Sequence, residues 1–121
     1  MAFKSFQDII AWQRAREVNR LIYAATSENS FSRDFALRDQ IRRASISIMA
    51  NIAEGFGRSV ASNKDFANFI NIARASAFEV QSHLYVALDL GYLGQEIFGR
   101  IFELLNEICR MLHTLRQRLL E

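Results

Sequence analysis

Glu79 and His83 stand four residues apart, the spacing at which a carboxylate and an imidazole share one helix face and can hold a metal ion together. The rest of such a site is missing. Carboxylate-bridged di-metal bundles take Glu-x-x-His pairs plus further glutamates from facing helices. This chain has no Glu-x-x-His, and its other histidine is His113. There is no Gly-x-x-x-x-Gly-Lys phosphate loop and no Gly-x-Ser-x-Gly nucleophile elbow. Ser47, Asn51 and Glu54 form a polar strip on one helix, with no matched base or nucleophile beside Glu54 in the sequence. Together with Glu79 they are expected to form a structural hydrogen-bond network, the kind that fixes helix register. The expectation is a protein that is not an enzyme, with no catalytic residue, no metal and no cofactor.

Arginine is the other chemistry on offer. The fifteen basic residues comprise thirteen Arg and two Lys, against a net charge of only +2. Guanidinium forks suit carboxylates and phosphates alike, so the skew fits either ion-paired interfaces or phosphate binding. Arg42 and Arg43 are adjacent and point about 100° apart on a helix. With Arg14, Arg16, Arg58, Lys64 and Arg74 they make up the candidate nucleic-acid-binding set. The plainer alternative pairs acids with bases one turn on: Asp34 with Arg38, Asp39 with Arg43, Glu96 with Arg100. No base-reading motif, zinc knuckle or RRM signature is present, so any nucleic-acid contact should be directed at the backbone. Trp12, Tyr23, Tyr85 and Tyr92 could stack on bases, but their helical positions favour core or interface anchoring.

The elements that carry these residues are helices. The 121 residues contain no Pro and five Gly, too little punctuation for many turns, and half are hydrophobic. A single domain over 1–121 is expected, with helices roughly at 6–26, 33–55, 63–90 and 95–119. Ser5 and Asp8 match a capping box for the first helix, and Ser62-Asn63-Lys64-Asp65 a second box for the third. The polar stretch Ser27-Glu28-Asn29-Ser30 reads as a loop. Gly55 and Gly57 read as the end of the second helix, with glycine free to take a left-handed cap. Short connections give an all-α, up-down-up-down antiparallel four-helix bundle.

Apolar residues exceed what one bundle core requires. Leu37, Ile41, Ala44, Ile48 and Ile52 make one stripe; Phe35, Ile46, Met49, Ala53 and Phe56 make a second on the same helix. The last helix carries two neighbouring heptad seams, Ile97 through Leu115 and Phe98 through Leu119. Ala73, Ala75, Ser76 and Ala77 would let another helix approach closely. A ring-like homo-oligomer is therefore expected. The single Cys109, set among Ile108, Met111 and Leu112, reads as a buried structural thiol suited to a reducing cytoplasm. The start of the chain lacks the apolar region of a signal peptide, and no apolar run reaches the ~20 residues that cross a bilayer, so a cytoplasmic protein without membrane contact is expected.

Several segments carry a resemblance. Gln40-Ile41-Arg42-Arg43-Ala44, Ser47-Ile48 and Asn51-Ile52-Ala53-Glu54-Gly55 are the best match, supported by Trp12-Gln13, Ile72-Ala73 with Ser76 and Glu79, and Leu90-Gly91-Tyr92-Leu93. Over nearly its whole length the chain resembles the four-helix bundle proteins encoded within intervening sequences of bacterial 23S rRNA genes. The accessory variability proteins of diversity-generating retroelements share that bundle. Two departures stand out: the family's usual prolines are absent, with Ser32 and Met49 in those regions, and its usual Gly-Ser is Ala75-Ser76 here. The resemblance implies a homopentamer. In the retroelement branch it implies nucleic-acid binding through a basic surface and a protein partner such as a reverse transcriptase. The resulting expectation is a non-enzymatic, nucleic-acid-associated accessory protein, contacting RNA or DNA; the competing one is a protein–protein assembly scaffold that binds no nucleic acid.

Overall fold

The computed structural model describes residues 3–121, so residues 1 and 2 of the single domain expected over 1–121 lie outside the described residues. The described residues form five helices, four of them long: α1 (Ile10–Thr26), α2 (Asn29–Arg33), α3 (Phe35–Arg58), α4 (Asn63–Asp89) and α5 (Gln95–Leu119). No strand occurs among them.

Each helix end has a local cause. Asp8 Oδ2 accepts from the backbone N–H of Lys4 at 2.9 Å and of Ser5 at 3.3 Å. That clasp closes a 3₁₀ turn over Phe6–Asp8, not the first turn of a long helix. Ile9 then adopts an extended conformation and buries its side chain, so α1 starts at Ile10 and not at residue 6. α2 begins inside the stretch expected as a polar loop, at Asn29, and runs past it to Arg33. Asn29 enters it at φ +46°, tolerable for Asn. Phe31 is driven into the core, where its ring stacks on Tyr92 at 5.2 Å.

Asp34 caps α3 by accepting from the Leu37 N–H at 3.1 Å, which moves that helix's start from 33 to 35. Its end also differs, because α3 runs through Gly55 to Arg58. Gly55 is no cap. It is buried in the helix, where an added Cβ would sit 2.8 Å from both Phe66 Cδ1 and Phe69 Cβ. Ser62 caps α4 as its box predicted, accepting from Asp65 N–H at 3.1 Å. At the other end of α4, Gly91 takes φ +73°, with Gly91 N–H bonded to Leu88 O and Tyr92 N–H to Ala87 O. That doubly bonded left-handed turn is the Schellman arrangement, and it aims the chain into α5.

α3 packs most extensively on α4, and α4 on α5, while α1 lies against both α3 and α5. Contacts pair rising residue numbers on one helix with falling numbers on its neighbour: Asn19 with Ser45 and Thr26 with Arg42, Arg14 with Glu107 and Glu17 with Arg100. The core takes Ile22, Ile41, Ile48, Ile52, Ile70, Leu84, Ile101, Leu105, Ile108 and Leu112, all fully buried. Burial of each such side chain contributes roughly 1.5–3 kcal/mol. On α5 the buried residues come from both expected seams, so the core faces the line between them. Part of the second seam is covered within the chain, since Phe98 and Phe102 pack against Tyr85 at 5.1 and 5.5 Å. Among the described residues, no helix is long and apolar enough to cross a membrane.

Candidate functional site

The arginines meet aromatic rings more often than carboxylates. Arg16 lies over Trp12, Arg38 over Phe35, Arg42 over Tyr23, Arg58 over Phe69 and Arg74 over Phe78, at 4.5 to 5.9 Å from the ring centroids. Among the described residues, carboxylate pairs engage only Arg14 (Glu107, 3.1 Å), Arg38 (Asp39, 3.0 Å) and Arg100 (Glu17, 3.6 Å). None of the three one-turn pairs expected from the sequence forms. Asp34 is occupied by its cap and by the Tyr92 hydroxyl at 2.9 Å, and Arg38 takes Asp39 in its place. A guanidinium resting on a ring keeps its in-plane N–H groups for an acceptor such as phosphate.

Arg42 is nevertheless more strut than free cation. Its Nε donates to Thr26 Oγ1 at 2.8 Å and its Nη2 to Ser27 Oγ at 3.3 Å, tying the end of α1 to α3. Arg43 is exposed, and shares a shallow hollow of about 340 Å³ with Tyr23, Asp39, Arg42 and Ile46. Arg14 is held by Glu107. Arg58 and Lys64 are exposed at the α3–α4 joint. Sixteen residues of helix separate Arg42 from Arg58, about 24 Å at ~1.5 Å per residue, so these two clusters mark opposite ends. Arg74 sits on α4. The seven candidates therefore surround the bundle and do not converge on one patch.

Other groups were missed. Arg20 and Arg100 join Arg16 and Trp12 around a hollow of about 610 Å³ on the outside of α1. Arg110 and Arg116 on α5 also went unnoticed; Glu107 stands three residues before Arg110 and only the structure shows it facing Arg14, while no acid stands three or four residues before Arg116. Tyr23 and Tyr85, expected as anchors, are exposed, whereas Tyr92 and Trp12 are half-buried.

Half of the expected polar network assembles. Ser47 Oγ meets Ser76 Oγ at 2.8 Å across α3 and α4, and Asn51 Nδ2 donates to Ser47 O at 2.8 Å and Ser47 Oγ at 3.0 Å. Glu54 on α3 stands exposed, and Glu79 on α4 is turned outward to His83 at 3.1 Å. Among the described residues, no three His, Cys, Asp or Glu side chains cluster as a metal site would need. Burial pushes the Cys109 thiol up from its ordinary value, outweighing the opposing pull of Arg74 and Arg110. A protonated, buried thiol is a poor nucleophile.

No curated protein sequence matches the chain. Among solved structures, a protein of unknown function from the S23 ribosomal protein family of Bacteroides thetaiotaomicron is similar, with a TM-score of 0.74 and 27% identity over 86% of this chain and 95% of that one. The family profile of the 23S rRNA-intervening sequence proteins matches residues 7–114. With that match spanning most of the sequence, including the Gln40–Ala44 and Asn51–Gly55 segments and all of α1, α3 and α4, the chain belongs to the 23S rRNA-intervening sequence protein family.

Proposed function

We propose that this chain is a non-catalytic cytoplasmic accessory protein: an up-down-up-down four-helix bundle that assembles as a homopentameric ring and binds nucleic-acid backbone through its arginines. The observation that carries the binding half is the placement of the Arg16, Arg58 and Arg74 guanidinium groups on aromatic rings with no carboxylate paired to them among the described residues. Charge held that way is committed to no internal partner and is rigid enough to meet phosphate without a large ordering cost. The assembly half is supported by apolar side chains left outside the core, Ile46 on α3 and Ile72 and Val86 on α4. A ring would multiply weak backbone contacts, since +2 per chain becomes 5 × 2 = +10 per particle.

Light-scattering mass on a sizing column, with and without labelled structured RNA or duplex DNA at low and high salt, tests both halves. A particle near 5 × 13.9 = 69.5 kDa that takes up nucleic acid at low salt and releases it at high salt is the expected result. A 13.9 kDa particle overturns the ring. A ring indifferent to RNA and DNA at either salt overturns the binding half and transfers the proposal to a protein–protein scaffold, which the same exposed apolar residues favour; a reverse transcriptase is then the first partner to try.

A further inference from the structure

We infer that the outward groove between α4 and α5 is a binding site for single-stranded nucleic acid, with Tyr85 and Phe78 as stacking surfaces and Arg74, Arg110 and Arg116 as phosphate contacts. The inference rests on the backbone-binding proposal above and specifies its surface and ligand class.

Two facing stripes build the groove. Phe102, Cys109 and Arg116 recur every seven residues along α5, so they share one side of that helix. Tyr85 and Phe78, and likewise Gln81 and Arg74, recur every seven along α4. Cross-contacts set the register: Tyr85 meets Phe102 at 5.5 Å, and Gln81 Nε2 donates to Asn106 Oδ1 at 2.8 Å. Beyond that contact, Arg74 follows two turns from Gln81 on α4 and Arg110 one turn from Asn106 on α5, and the positive charge of both opposes the burial that raises the Cys109 thiol. The groove is thus aromatic at the α5 N-terminal end and cationic toward the C-terminal end.

Three observations point to an anionic ligand carrying flat rings. Among the described residues, the buried side-chain nitrogens without a hydrogen-bond partner are Arg74 Nε on α4 and Arg116 Nε on α5. No protein acceptor therefore ties either guanidinium down at that nitrogen. No carboxylate comes within ion-pair distance of Arg74, Arg110 or Arg116 among the described residues. Beside these cations, Tyr85 and Phe78 leave 51% and 49% of their surface open, although both are large rings that a closed core would have covered. π-faces at one end of a groove and guanidinium groups toward the other suit a strand whose bases are unpaired, because a duplex keeps its bases stacked inside.

Fluorescence anisotropy with the full chain tests this, using a labelled single strand of about twelve nucleotides and its duplex across a salt series. The single strand should bind tighter than the duplex. Tyr85→Ala should weaken single-strand binding about tenfold with the salt slope unchanged, since stacking releases no counterions. Arg110→Glu should make the slope shallower by about 0.7 for the phosphate contact it removes. Arg74→Gln, checked for helicity by circular dichroism, should do the same and guards against a misfolded charge-reversal variant. If nucleic acid binds but none of the three variants changes affinity or slope, the groove assignment is overturned and backbone binding elsewhere stands. If the duplex binds as well as the single strand and Tyr85→Ala is silent, the stacking role is overturned. Absence of any binding overturns this inference together with the proposal beneath it.

Discussion

α4 meets its two neighbours in opposite ways. Toward α3 the contact is built from small residues: Gly55 touches Phe66 and Phe69 with no room for a Cβ, Ala73 and Ala77 are fully buried, and Ser47 and Ser76 share a hydrogen bond. Toward α5 the contact is built from large ones, Tyr85, Phe98 and Phe102, with the rings partly outside and the cations beyond them unpaired with acids. The first contact is a scaffold, where close packing leaves no tolerance for volume. The second places apolar area and charge where the fold gains less from them than a ligand would. A molecule that keeps both on one helix has one side that cannot change without unfolding and another that can change without it.

The sharpest way to break that contrast is to add volume on the tight side. Gly55→Val should destabilise the protein by about 3 kcal/mol, because Phe69 Cβ is fixed to its backbone and cannot swing away as a side-chain tip would. Denaturant unfolding followed by helicity measures it. A variant as stable as the parent would mean that α3 and α4 can separate cheaply, and the contrast would fail. On the open side, Phe102→Ala removes a half-buried ring that stacks on Phe98 at 5.3 Å. Full burial would make the loss 3–5 kcal/mol, so partial exposure reduces it to about 2 kcal/mol. The same variant should also weaken single-strand binding, whereas Gly55→Val, measured where it remains folded, should not.

This contrast was only partly legible in the sequence. The bounds of α4 and α5 were close to readable, because a Ser-Asn-Lys-Asp box, a Gly after Leu90 and long periodic runs give local signals that agree with the tertiary fold. Gly55 misled, since a glycine near the end of an apolar run looks the same whether it caps a helix or admits a neighbouring one; only the position of Phe66 and Phe69 decides. α2 hid inside a polar stretch, where a single buried ring, Phe31, outweighs its neighbours. For the site, residue types were legible and their grouping was not. Glu107 three residues before Arg110 reads in one dimension as its partner, and only the placement of α1 beside α5 shows that acid facing Arg14 instead.

Asp34 and Tyr92 offer a smaller test at the end of the bundle, where the chain crosses into α5. The phenol donates to Asp34 Oδ2 at 2.9 Å, and that hydrogen bond, with desolvation and the carboxylate's charge behind it, raises the Tyr92 pKa above its ordinary 10.0. A raised folded-state value stabilises the protein fully below the ordinary pKa, and the contribution is lost as pH rises through the raised one. Tyr92→Phe should therefore lower stability at neutral pH, where the phenol is protonated and the hydrogen bond is intact. The gap between parent and variant should close in unfolding curves taken above pH 10.0, and a gap constant into that range would remove the hydrogen bond as its source.

The smallest effect belongs on the other flank of α5, where arginine does meet acid. Arg14 and Glu107 pair at 3.1 Å across α1 and α5, with 39% and 33% of their side chains exposed. Solvent screens a pair that open, so a double-mutant cycle with Arg14→Ala and Glu107→Ala should give a coupling of about 0.5 kcal/mol, smaller still at high salt. Arg14→Ala should also leave the salt slope of nucleic-acid binding unchanged, because a guanidinium already facing a carboxylate releases no phosphate counterion. A slope that becomes as shallow as in Arg110→Glu would mean that the pair opens for phosphate. The two flanks of α5 would then differ in what they hold in the free protein and not in what they bind.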